Sequence, residues 1–145
     1  MPQNRQVLLA RRPNGAPVAD DFELAQTDVP EPASGEMLLR TVYLSLDPYM
    51  RGRMNAEKSY ADPVPVGGVM EGGTVSVVEK SNGGKFAEGD IVVGRTGWQD
   101  YMVSDGASLS RSIRLRRQSR PRSACRICQS KVSASLSISV WAYCR

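Results

Sequence analysis

The last acidic residue of the chain is Asp105, and that break limits the fold more than any other feature. Residues 1–105 carry 10 Lys+Arg against 15 Asp+Glu, whereas residues 106–145 carry 9 Lys+Arg and no acid. The overall charge of +4 therefore averages two unlike parts. All 3 cysteines and 10 of the 16 serines also fall in the second part. A segment that is acid-free and rich in Arg, Ser and Cys is a poor source of core, so one domain of about 105 residues must hold the buried side chains.

Within that domain the pattern is of strands. Val7–Ala10 reads as a first strand and Arg12–Pro17 as a turn. Phe22–Thr27 alternates as a second strand, and the proline-rich Val29–Glu36 cannot pair in a ladder. Met37–Leu46 is a long strand, apolar on both faces, which predicts burial on at least one side. Val69–Glu79 reads as a strand interrupted by Gly72-Gly73, the mark of a bulge or bend. Ser81–Lys85 is a turn, and Ile91–Gly94 and Trp98–Val103 are the last convincing strands. Many strands, few helical patterns and glycine at the corners predict a mainly β fold, a small antiparallel barrel. Ser108–Gln118 has neither helical nor strand period, and Val132–Trp141 alternates as one further candidate strand.

At the end of the long strand, Asp47-Pro48 stops the ladder. Pro48 suits the first turn of a short helix, and the Asp47 carboxylate is placed to accept from its free N–H groups. Tyr49, Met50 and Arg51 then fan out at the strand's end, where a phenol and a guanidinium can edge a cleft. A capped turn with a packed tyrosine is the alternative. Arg51 can anchor the neighbouring loop or pair with an acid such as Glu71, and Trp98 and Tyr101 suit packing.

The stretch Leu44–Met54, with Arg12–Val18, Gly67–Val75 and Gly97–Tyr101, resembles the zinc-independent medium-chain dehydrogenases/reductases. Within them it is similar to the group of curcumin, prostaglandin–leukotriene and alkenal double-bond reductases. The likeness runs from about Asn4 to Gly106 and implies a GroES-like, partly open antiparallel β-barrel with few short helices. It implies residues 1–106 as the substrate domain and a Rossmann domain missing from this chain; composition marks residues 107–145 as an irregular basic tail, frameshifted or disordered. It further implies NADPH as the cofactor of a full-length parent, with hydride delivered to the β-carbon of an enone or enal. Tyr49 would be the catalytic hydroxyl beside substrate and nicotinamide, with Met50 and Arg51 near the cofactor. Zinc-containing relatives place a histidine where Met70 stands, and the chain has 0 histidines, so no metal site is expected. Neither Gly67-Gly68 nor Gly72-Gly73 forms a dinucleotide fingerprint, and no cofactor is expected to bind this chain alone. A homodimer is expected at most of the parent.

Cys125-Arg126-Ile127-Cys128 lacks a fourth zinc ligand even with Cys144, and it lacks a thioredoxin-like context for redox work. The basic run Arg111–Arg126 has no interleaved aromatics, which argues against nucleic acid as a partner. Read one base out of frame with permitted codons, Ser112–Cys125 becomes Asp-Pro-Ser-Ala-Ala-Pro-Ile-Ser-Thr-Ala-Leu-Gly-Val, a normal helix start. The expectation is a frameshifted end from about Leu109 and a fragment inactive by itself. The competing expectation is a stand-alone β-barrel binding module whose basic tail meets nucleic acid or acidic partners. No apolar run is long enough for a membrane span and the first residues lack a signal-peptide core, so a cytoplasmic location is the default.

Overall fold

Met37–Leu44 forms the central strand of the molecule because its β-branched and large apolar side chains can be covered on both faces. Met37 and Leu39 are fully buried and Leu44 nearly so. The computed structural model describes residues 3–57, 61–112 and the backbone of 139–140. In chain order the elements are β1 (Gln3–Leu9), a 3-10 turn (Ala19–Asp21), β2 (Phe22–Asp28), β3 (Met37–Leu44) and α1 (Tyr49–Arg53). They are followed by β4 (Thr74–Ser81), β5 (Ile91–Gly94), β6 (Tyr101–Ser104), β7 (Ser110–Arg111) and β8 (Ser139–Val140).

Two sheets result. β1 and β2 pair antiparallel as a ribbon, and the second sheet runs β6-β3-β4-β5-β7, with β8 lying parallel beside Tyr43 and Leu44 of β3. The register of β3 against β4 shifts at Leu38/Leu39 and again between Thr41 and Tyr43. Such irregularities bend a strand and increase its twist. The sheets meet through isolated bridges, Gln6 with Gln99 and Leu8 with Val69. The arrangement is the antiparallel, GroES-like fold expected, without a closed barrel among the described residues.

Each part has its own core. Met37, Leu39, Val78, Phe86, Val92 and Leu109 pack on one face of the larger sheet. Leu9, Met54, Val64 and Met70 pack between the ribbon and α1, with Phe22 and Trp98 against them. The Phe22 and Trp98 rings stack with centroids 5.7 Å apart.

Several expectations need correction. The long strand expected over Val69–Glu79 is divided at the glycine pair: Val69 bridges to β1, and the regular ladder begins only at Thr74. Strand geometry between Trp98 and Val103 starts at Tyr101. Leu109, taken for part of the frameshifted end, is buried in the first core, and Ser110–Arg111 pairs with β5. A two-residue strand leaves no period in a sequence. Val132–Trp141 lies outside the described residues except for Ser139–Val140.

Candidate functional site

Helix α1 is a single turn and a half whose N-cap is Pro48, at φ −57° and ψ −29°. The proline has no N–H to lose and arrives in helical geometry. The Asp47 carboxylate does not cap the helix as expected. It accepts instead from Ser45 Oγ at 2.7 Å, while the Asp47 carbonyl accepts from the Met50 N–H at 3.1 Å. The short loop back to β3 gives the aspartate a nearer donor than the helix.

The side chains that follow diverge. Met50 is buried beneath the turn, and Tyr49 is half-buried at its edge. Arg51 donates to the carbonyls of Gly15 (2.8 Å) and Pro13 (3.1 Å) and to Asn55 Oδ1 (2.6 Å), so it anchors the Arg12–Pro17 turn. Arg53, not Arg51, meets Glu71. Its Nε and Nη2 donate to the two carboxylate oxygens at 2.8 and 2.7 Å, a bidentate pair with the arginine side chain 9% exposed. That pair ties α1 to the strand-free segment before Gly72-Gly73.

Two cavities flank the turn. One of about 440 Å³ is lined mainly by apolar groups, among them Phe22, Leu46, Met50, Met54 and Trp98, with Asp47 and Arg51 at its rim. The other, of about 250 Å³, is lined by Val69–Gly72 and by Arg95, Thr96, Gly97, Gln99 and Met102. The Arg95 guanidinium lies over the Tyr49 ring, 5.6 Å from its centroid. Tyr49 lines neither cavity itself; its ring meets Arg95 at the edge of the smaller one, while Met50, Arg51 and Met54 line the larger.

The corner carrying Arg95 is held by three features that periodicity could not reveal. Thr96 is buried and shares a hydrogen bond with Thr74 between hydroxyls at 2.7 Å, and Thr41 adds another at 3.2 Å. Gly97 has φ +77°, and a Cβ there would stand 2.9 Å from the Met70 carbonyl oxygen. The Trp98 N–H then donates to that same carbonyl at 2.8 Å. At the far side, Asn4 and Arg5 reach Tyr101 and Asp100; Arg5 Nε lies 2.6 Å from the Asp100 carboxylate.

Among the described residues no three His, Cys, Asp or Glu side chains are grouped as a metal would require, and no helix is long and apolar enough to cross a membrane. The cleft beside α1 is lined mainly by apolar groups. The described residues offer nothing for phosphates there, because α1 spans only 5 residues and follows no glycine-rich loop.

An open antiparallel fold of this kind, with one short helix after the long strand, is that of the GroES-like N-terminal domain of medium-chain dehydrogenases/reductases. Residues 5–112 match the family model described as the N-terminal domain of oxidoreductase, and the chain belongs to that family, in the group of curcumin, alkenal and prostaglandin reductases. It is 58% identical over 107 residues to the NADPH-dependent curcumin reductase of Escherichia coli (strain K12), covering 74% of this chain and 31% of that one. It is 38% identical over 105 residues to the 2-alkenal reductase (NADP(+)-dependent) of Nicotiana tabacum, covering 69% and 30%. The crystal structure of CurA in complex with NADPH from Vibrio vulnificus superposes with a TM-score of 0.71 at 60% identity, over 74% of this chain and 32% of that one. The chain thus spans about a third of the length of these relatives.

Proposed function

We propose that this chain is the substrate domain of an NADPH-dependent reductase of conjugated carbonyls, and that Tyr49 is its catalytic hydroxyl. A bound nicotinamide would supply hydride to the β-carbon of an enone or enal, opening the C=C π bond to an enolate that takes a proton from water at the α-carbon. The phenol of Tyr49 donates a hydrogen bond to the carbonyl oxygen, on which negative charge grows as the β-carbon is reduced. Donors fixed before the reaction stabilise that charge without reorganising, and a half-buried side chain on a packed helix is such a donor. Met50 forms the floor of the cleft that would receive the nicotinamide, and Arg51 holds the rim by fixing the Arg12–Pro17 turn. The polar groups of a zinc site are replaced here by Met70, so the reaction relies on hydrogen bonding.

The observation carrying this reading is the position of Tyr49, half-buried on the helix whose Met50 and Arg51 line an apolar cleft, with its ring against the Arg95 guanidinium, in a chain of the reductase family. The test is Tyr49→Phe in a protein whose frame is restored through the cofactor domain. Turnover of enones should fall about tenfold to a hundredfold, below the full loss of about 3 kcal/mol at a strong oxyanion site, because water can substitute in part. NADPH binding should change less than twofold. A variant that keeps its full rate on every enone would leave Tyr49 a packing residue.

The same reading takes the unlike composition after Ser112 as a change of frame, one that begins after the residues that pair with β5. Genomic sequence that runs in frame through residues 113–145 and beyond without a Rossmann signature would overturn it. In calorimetric titration the 145-residue chain should bind NADPH too weakly to resolve at micromolar concentrations, since its described residues offer an apolar cleft without phosphate donors.

A further inference from the structure

Arg95 is set apart from the other cations by what it does not contact. Six cations pair with carboxylates: Arg5, Arg11, Arg40, Arg53, Lys80 and Arg111. Arg12 and Arg51 donate to backbone carbonyls. Lys85 lies over Phe86 in the other core. Among the described residues, that leaves Arg95 as the only arginine without a hydrogen bond to a carboxylate or carbonyl.

Its surroundings sharpen the point. Arg95 lies over Tyr49 and lines the 250 Å³ cavity. The one acid lining that cavity, Glu71, is held bidentately by Arg53. Glu71 and Arg53 cancel, so the cavity carries one uncompensated positive charge. A guanidinium presents a planar fork matched to a carboxylate, and the Arg95 side chain is exposed, with no carboxylate or carbonyl among the described residues taking its N–H groups. The buried Thr96 hydroxyl network and the Gly97 backbone fix the corner that carries it, so a ligand need not order that backbone on binding.

We propose that Arg95 is a specificity residue that recognises a carboxylate on the substrate, making anionic enones the preferred substrates over their neutral counterparts. This rests on Tyr49 being the carbonyl-binding side of the site. The two side chains then read opposite ends of one molecule, Tyr49 the conjugated carbonyl and Arg95 the acid.

Binding to the 145-residue chain tests it without needing catalysis. The probes are para-carboxybenzylacetone, a saturated ketone inert toward thiols, and its methyl ester, titrated at low and high salt. The acid should bind about tenfold tighter than the ester at low salt, with the advantage shrinking as salt screens the exposed pair. Arg95→Gln should abolish the preference and Arg95→Lys should retain part of it, with unchanged circular dichroism for both. Equal binding of acid and ester, absence of binding by both, or a preference that survives Arg95→Gln overturns the proposal. So does inorganic phosphate competing as tightly as the acid, which would make Arg95 a phosphate contact. In the frame-restored protein, equal reduction of para-carboxybenzalacetone and its methyl ester overturns the role of Arg95 while leaving reduction standing. Failure to reduce either overturns the reductase reading, and the binding result still decides Arg95.

Discussion

Removing the Glu71 carboxylate should destabilise the protein by about 2 kcal/mol, and the value follows from where the Arg53–Glu71 pair sits. Deleting one partner of a fully buried ion pair costs about 3–5 kcal/mol, because the other charge is left desolvated, whereas an exposed pair is worth about 0–1 kcal/mol. This pair is intermediate. The Arg53 side chain is 9% exposed and that of Glu71 38%, so water can enter from the glutamate side. Glu71→Gln keeps one acceptor oxygen and should cost about 1 kcal/mol, which isolates the charge from the hydrogen bond. Urea denaturation followed by circular dichroism would measure both. The control is Glu79→Ala, which breaks the Arg40 pair at 43% and 46% exposure and should cost less than about 0.5 kcal/mol. A cycle with Arg53→Met should return a coupling of at least about 1 kcal/mol. If Glu71→Ala proves no more costly than Glu79→Ala, the clamp on α1 is not stabilising.

Other expectations follow from the same geometry. Gly97→Ala meets both a positive φ and the Met70 carbonyl at 2.9 Å; it should cost about 2–3 kcal/mol and lower the melting temperature by roughly 10 °C. Leu39→Ala, at a fully buried position in the first core, should cost about 3 kcal/mol in the same urea assay. The Asp21 carboxyl is held below the usual carboxylate range by hydrogen bonds from Arg11 and from the Val18 N–H. The unfolded chain therefore binds the proton first as pH falls, so Asp21 contributes stability above the ordinary aspartate pKa that is lost as pH drops through its lowered folded value. Melting temperatures of Asp21→Asn should accordingly change less than those of the wild type between neutral pH and pH about 3, and parallel curves would refute the assignment.

Much of this was legible because side-chain period and burial coincide. β2, β3 and β5 were found where alternation or apolar runs met proline or glycine. The tyrosine turn was found because Asp47-Pro48 must end a strand. What failed was phase and partner. Arg51 and Arg53 are two residues apart, about 200° around a helix, so they face opposite ways, and nothing in the sequence says which side holds Glu71. Arg95 escaped notice because a cation in a loop has no pattern; that it meets a tyrosine ring and no carboxylate or carbonyl among the described residues is revealed only in three dimensions. The Thr41–Thr74–Thr96 hydroxyls join three separate segments and were equally invisible.

The contacts between the first strand and residues 98–101 have a consequence for synthesis. Arg5 meets Asp100 and Asn4 meets Tyr101, pairs separated by 95 and 97 positions, and the Val7 N–H donates to the Trp98 carbonyl. The ribbon of β1 and β2 can form as soon as it leaves the ribosome, yet the belt that fastens it to the larger sheet waits for nearly the whole domain. Closing so long a loop is entropically late, and topologies dominated by distant pairings fold slowly. Until then Phe22 lacks the Trp98 ring that stacks on it, and a nascent chain stalled before residue 98 would leave that side of the Leu9–Met54–Val64–Met70 core open to whatever chaperone or neighbour comes first.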